Sequence, residues 1–108
     1  MNIKKLTQEA KKTARLYSKK FDVKLDGDWY VLKLQEELGE LTQSYLMKTE
    51  RAKLRGLSKE KIEEKFKEEL ADLFAITLLL ADHFDIDIEK EVERKWLSWT
   101  NKDKLKTP

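Results

Sequence analysis

The chain has 108 residues, 41% of them charged, yet 23 Lys and Arg against 21 Asp and Glu leave a formal net charge of only +2. That length suits one domain spanning 1–108 with a modest core, and the balanced charge gives no electrostatic case for a nucleic-acid polymer or an anionic membrane as partner. Cysteine is absent, which excludes disulfides, thiolate metal sites and cysteine nucleophiles and fits a reducing cytoplasm.

The N-terminal stretch from Met1 to Lys12 is charged and lacks the apolar centre of a signal peptide. Ile3, Leu6, Ala10, Ala14, Tyr17 and Phe21 step by three or four residues, which predicts a first helix. Val23 to Gly27 reads as a connection. Asp28 is the expected N-cap of a second helix, with Trp29 and Tyr30 in its first turn. That helix carries the apolar stripe Val31, Leu34, Leu38, Leu41 and Tyr45 as its core face. It is expected to run to Gly56, where a glycine after the last turn belongs. Ser58 caps a third helix whose core face starts with Ile62, Phe66, Leu70 and Leu73, so the 57–59 connection is tight and the two helices are antiparallel neighbours. From Leu70 to Ala81 only Asp72 and Thr77 interrupt the apolar character. This predicts a segment buried on all sides, with Asp72 drawn inside. Its apolar run, Leu73 to Ala81, is far shorter than the roughly 20 residues needed to span a bilayer, so the protein is expected to be soluble. Asp85 or Asp87 starts a fourth helix with the seam Ile88, Val92, Trp96 and Trp99, and the polar tail, about 103–108, reads as frayed. Only three glycines and the terminal Pro108 interrupt the chain. The expected fold is therefore an all-α four-helix bundle with short loops.

Two acid pairs stand out: Glu37 with Glu40 on the second helix, and Glu69 with Asp72 on the third. Residues three apart share a helix face, and antiparallel helices can bring the pairs together. Glu37 lies about 40° from Leu41 and about 60° from Leu34 round the helix, at the border of the apolar stripe. Carboxylates at a core border cost several kcal/mol each unless paired (roughly,), and four together repel one another. A hard divalent cation with oxygen ligands, Mg²⁺ or Mn²⁺, resolves both problems, and Mg²⁺ keeps positions open for water and phosphates. Gly39, in mid-helix between two acids, marks either close approach by a ligand or a helix–helix contact, since glycine there costs about 1 kcal/mol.

Other residues have two readings each. Trp29 and Tyr30 either stack on a base or staple the second helix to the core. Lys33 either meets a phosphate or pairs with Glu36. His83, the single histidine, reads as structural. The chain has neither G-x-x-x-x-G-K-[ST] nor G-x-G-x-x-G, so any phosphate must be held by metal and basic side chains. One histidine is too few for the paired Glu-x-x-His of di-iron bundles, and it has no triad around it.

The pattern Glu36-Glu37-x-x-Glu40 followed by Glu69-x-x-Asp72 resembles the all-α nucleoside triphosphate pyrophosphohydrolases of the MazG-like superfamily, over about Trp29 to Asn101. Lys33-Leu34, Leu73 and Ile86-Asp87-Ile88-Glu89 carry the same resemblance. It implies Mg²⁺-dependent cleavage of a nucleotide between the α and β phosphates, giving a monophosphate and pyrophosphate. Mn²⁺ is a possible substitute. By position, Glu37, Glu40, Glu69 and Asp72 would be metal ligands, and Glu36 would orient the attacking water or support the ligands from behind. Trp29, Lys33, Lys95, Asn101 and Lys102 are the substrate-binding candidates. The resemblance also implies a homodimer or a dimer of dimers acting in the cytoplasm on the nucleotide pool. The alternative is a non-catalytic helical module that binds a nucleotide or protein through the same acidic groove.

Overall fold

The structure is a computed structural model, and it describes residues 1–101. The tail from Lys102 onward, including the candidate Lys102, lies outside the described residues, as does the side chain of Asn101. The architecture is all-helical: α1 (Ile3–Phe21), α2 (Gly27–Lys48) and α3 (Lys59–His83) are followed by α4 (Ile88–Val92), which runs through a π-helical stretch (Glu93–Leu97) into α5 (Ser98–Asn101).

Side-chain caps set most of the starts. Asn2 Oδ1 accepts from the Lys5 N–H at 2.8 Å, Ser58 Oγ from Lys61 at 3.1 Å and Asp87 Oδ1 from Lys90 at 3.1 Å, each satisfying an orphan donor of the first turn. The cap of α2 is Asp26, whose Oδ1 accepts from the Trp29 N–H at 2.8 Å, and not Asp28. The earlier start puts the Asp28 charge in the first turn, where the helix dipole favours an anion. The end of α2 also differs from expectation. The helix stops at Lys48, Glu50 takes a left-handed conformation (φ 61°), and Gly56 (φ 80°) sits inside a loop over 49–58. Arg51 and Ala52 donate back to the Leu46 carbonyl at 2.7 and 3.2 Å, so the loop folds onto the end of the helix and the connection is longer than three residues.

The centre of the fold is the antiparallel α2–α3 hairpin. Its register is pinned at one end by the Tyr30 and His83 rings, 5.2 Å apart. At the other end Tyr45 meets Phe66 at 6.2 Å and Lys48 pairs with Glu63. The buried residues of α2 are Tyr30, Glu37, Ser44 and Met47. The first three recur every seven residues, which keeps them within about 20° of one line along the helix. On α3, Ile62 and Glu69 repeat the spacing, and Leu78, Leu79 and Ala81 extend the core. Ser44 is wholly buried, with its hydroxyl donating to the Leu41 carbonyl at 2.8 Å. A small side chain here lets the two helices approach closely.

The stripe expected to be the core face of α2 is therefore not the buried one. Val31, Leu38 and Tyr45 are exposed, as are Leu70 and Phe74 on α3. They form an apolar face about 100° round α2 from Glu37. The segment 70–81 is accordingly exposed at its start, at Leu70, Ala71, Asp72 and Phe74, and becomes buried only toward its end, at Leu78, Leu79 and Ala81. The seam of the fourth helix is also open: Val92 and Trp99 are exposed and Trp96 is 71% exposed. The α4–α5 stretch packs chiefly on itself. α1 packs on α3, tied by Lys11 to Asp82 at 3.2 Å, and has no buried residue. The radius of gyration, 17.3 Å, exceeds the about 13 Å of a compact domain of this length.

A Cβ added at Gly39 would meet nothing within 4 Å, so within one chain Gly39 is not a packing glycine. Gly39→Ala should raise stability by about 1 kcal/mol in urea unfolding, the ordinary helix-propensity gain. A loss instead would reveal a neighbour against this side of α2.

Candidate metal and nucleotide site

The hairpin register places Glu37 and Glu69 in the seam itself, where other positions are apolar or neutral. Each residue is only 7% exposed. Glu40, one turn on from Glu37, joins them. One carboxylate oxygen from each of Glu37, Glu40 and Glu69 can be chosen so that all three lie within 4.8 Å of one another. Glu40 is the most accessible of the three and lies within hydrogen-bonding reach of Glu69. Asp72 does not join this group and is not drawn inside: the residue is exposed. Three residues past Glu69, it is rotated about 60° out of the seam, toward the cleft between α3 and α1. It remains close enough to act electrostatically on Glu37.

Each seam carboxylate has one oxygen paired and one left over. Lys33 lies 3.8 Å from Glu37 Oε1 and Lys65 lies 3.3 Å from Glu69 Oε1. Glu37 Oε2 and Glu69 Oε2 are buried with no hydrogen-bond partner. An orphan anionic oxygen in the interior is a strong liability, and two beside each other point to a cation. Oxygen ligands on Mg²⁺ sit at about 2.1 Å, so the group needs only a slight contraction to hold one. The donor set, hard oxygens with no thiol or imidazole, suits Mg²⁺ or Mn²⁺.

The electrostatics agree. Burial, followed by the Glu40 and Asp72 charges, pushes the Glu37 carboxyl up to about 7 against the pull of Lys33. Glu40 is raised by its contact with Glu69 and by burial. Asp72, though its residue is largely exposed, is raised by partial burial of its carboxyl and then by the Glu69 and Glu68 charges, against the pull of Lys33. Burial pulls the Lys33 ammonium down, but its hydrogen bond to Glu36 and the nearby charges leave it above its ordinary value.

Beside the acids, α1, α2 and α3 enclose a cleft of about 430 Å³ walled by Tyr17, Trp29, Lys33, Glu37, Asp72 and Ile76 among others. Trp29 packs edge-on to Tyr30 at 5.4 Å and meets Tyr17 at 5.9 Å, with the Lys33 ammonium 5.9 Å from its ring centre. Trp29 thus both anchors α2 and presents a wall of the cleft. Lys33 bonds Glu36 at 3.3 Å, the second of its two readings, and also lines the cleft. Glu36 is exposed beside the cluster. Lys95 is exposed in the π-helical stretch, away from the hairpin seam. Sequence reasoning passed over Tyr17 and Lys65. The Lys65-x-x-x-Glu69 spacing, a favourable helical ion pair, was the signal for the second.

The MazG-like family model matches residues 34–107. The chain belongs to the MazG-like family. The matched segment contains all five acids, Glu36, Glu37, Glu40, Glu69 and Asp72, and begins one residue after Lys33. Neither the curated proteins nor the solved structures contain a match to the chain. Within this MazG-like chain, α1 and the aromatic wall of the cleft lie outside the matched segment. No described helix is long and apolar enough to cross a membrane.

The raised Glu37 carboxyl makes the metal-free protein sensitive to pH in a defined direction. Below pH 4.5 Glu37 is protonated both folded and unfolded, and stability is full. Between 4.5 and about 7 the unfolded chain releases this proton while the folded chain keeps it, so stability falls as pH rises. The loss is on the order of 3 kcal/mol. Urea unfolding in a chelator should show this decline, and Glu37→Gln should remove most of it.

Proposed function

We propose that the chain is a Mg²⁺-dependent nucleotide pyrophosphohydrolase that cleaves a nucleoside triphosphate or related nucleotide between the α and β phosphates. The observation that carries this reading is the pair of orphan carboxylate oxygens, Glu37 Oε2 and Glu69 Oε2, with Glu37 also on the wall of a nucleotide-sized cleft, in a member of the MazG-like family. Glu37, Glu40 and Glu69 would hold the cation, with Asp72 completing the set by a side-chain turn from the cleft wall. A bound Mg²⁺ supplies neutralisation of phosphate charge and a lowered pKa for a bound water.

The chain's own groups do the rest. Trp29 and Tyr17 offer faces for the base, as any base can stack on an aromatic ring. Lys33 exchanges its contacts with Glu36 and Glu37 for a phosphate oxygen. Glu36, released by that exchange, accepts a proton from the attacking water. The water oxygen bonds to the α-phosphorus as the bond to the bridging oxygen breaks, and pyrophosphate leaves with the electron pair. Lys95, Asn101 and Lys102 remain candidates for a site completed by a second copy, and the reaction suits the cytoplasmic nucleotide pool.

A second copy is also the proposed partner of the open apolar face formed by Val31, Leu38, Tyr45, Leu70 and Phe74. A face of this kind on a helical hairpin asks for a neighbour, and the extended radius of gyration fits half of an assembly. Sedimentation should show a dimer or a larger assembly, and Leu38→Glu with Phe74→Glu should shift it to monomer.

A nucleotide panel assayed for pyrophosphate tests the activity. Turnover of at least one nucleotide with Mg²⁺, lost by 10²-fold or more (an order-of-magnitude figure,) in Glu37→Gln or Glu69→Gln, is the expected result. Mg²⁺ and nucleotide binding without turnover across the panel would favour a non-catalytic binding module.

A further inference from the structure

We propose that Lys65 receives the pyrophosphate end of the substrate, so that it sets how many phosphates the site prefers. This rests on the nucleotide reading above and assigns a direction to it.

The two buried acids are matched in an unusual way. Each has a lysine one turn toward the N-terminus on its own helix: Lys33 before Glu37 at 3.8 Å, and Lys65 before Glu69 at 3.3 Å. Because α2 and α3 are antiparallel, these lysines approach the cluster from opposite ends. Lys33 comes from the end where Trp29 and Tyr17 form the cleft, and Lys65 from the end nearer the 49–58 loop. The order along the hairpin is therefore aromatic cleft, Lys33, carboxylates, Lys65. Lys65 lies within about 40° of Glu69 round α3 and within about 20° of Asp72, so it shares their side of the helix.

A nucleotide is a rod with the same polarity. Its base needs an aromatic wall, its reacting phosphorus needs the cation, and its remaining phosphates extend beyond. With the base against Trp29 and Tyr17, the terminal phosphates point along the hairpin to Lys65. The lysine is suited to receive them. Its side chain is 43% exposed and its one ion-pair partner is Glu69, whereas Lys33 is shared between Glu36, Glu37 and the Trp29 ring. A cation on Glu69 draws that carboxylate's charge away from Lys65, leaving a compact ammonium free for phosphate oxygens. Lys65 thus serves as counter-ion in the empty site and as phosphate ligand in the filled one.

The test is calorimetric binding to the full-length protein in Ca²⁺, with inorganic pyrophosphate and four nucleoside monophosphates as separate probes. Lys65→Gln should weaken pyrophosphate binding by about tenfold or more, as loss of a charged hydrogen bond does. Monophosphate binding should change less than about twofold (within the scatter of a surface substitution,), and Lys65→Arg should restore pyrophosphate binding. In turnover, Lys65→Gln should raise KM for a triphosphate and erase its preference over the matching diphosphate. Equal losses for both probes, together with weaker Ca²⁺ binding, would show that Lys65 only balances Glu69 and would overturn the assignment. If the unmodified protein binds both probes but hydrolyses nothing, the hydrolase reading falls while the Lys65 assignment stands.

Discussion

Two carboxylates face each other inside a helix–helix seam, and the rest of the structure is arranged around that fact. Every other buried residue of α2 and α3 is apolar or neutral: Tyr30, Ser44, Met47, Ile62, Leu78, Leu79 and Ala81. Leucines at 37 and 69 would hold the hairpin better, because a buried ionic group seldom outperforms well-packed hydrocarbon. The hairpin meets part of the cost with one lysine per acid and leaves one oxygen of each without a partner. Those two oxygens depart from good packing, and such departures are where a functional site is to be sought.

The hairpin has two unlike sides. On the side of α1, Glu37 and Asp72 line a cleft with aromatic and basic walls. On the other, Val31, Leu38, Tyr45, Leu70 and Phe74 form an apolar face. Glu37 and Glu69 lie between the two, so the packing that defines the hairpin also positions the acids. Two lysines, Lys33 and Lys65, stand at opposite ends of the cluster, each paired with one of the buried acids. α1, which has no buried residue of its own, contributes the cleft's third wall.

Much of this is visible in the residues alone. The helices, the Ser58 cap and the meeting of acids from two helices follow from spacing and capping chemistry, and of the two starts offered for the fourth helix, Asp85 and Asp87, the cap is Asp87. The choice of buried face does not. Val31, Leu34, Leu38, Leu41 and Tyr45 make the more apolar stripe of α2, so hydrophobicity favours it as core. The observed seam contains Glu37 and Ser44, which hydrophobicity alone counts against. The sevenfold repeat Tyr30, Glu37, Ser44 was the better guide, since it follows the geometry of two packed helices. Asp72 was misplaced for the same reason: a segment apolar all round reads as buried all round, although the chain covers only its later part, Leu78 to Ala81, and leaves its first turn exposed. The α2–α3 loop was hidden because 49–55 is rich in helix-forming residues, and the turn rests on left-handed Glu50 and Arg55, which no propensity favours.

The claim at the centre is that the unpaired oxygens of Glu37 and Glu69 are cation ligands. A crystal soaked in Mn²⁺ and measured at the manganese absorption edge tests it directly. One anomalous peak in the α2–α3 seam, with Glu37 Oε2 and Glu69 Oε2 both at about 2.2 Å (close to the Mg²⁺–oxygen distance,), is the predicted result. A seam without a peak at saturating Mn²⁺, or manganese bound only at exposed acids elsewhere on the surface, would contradict it.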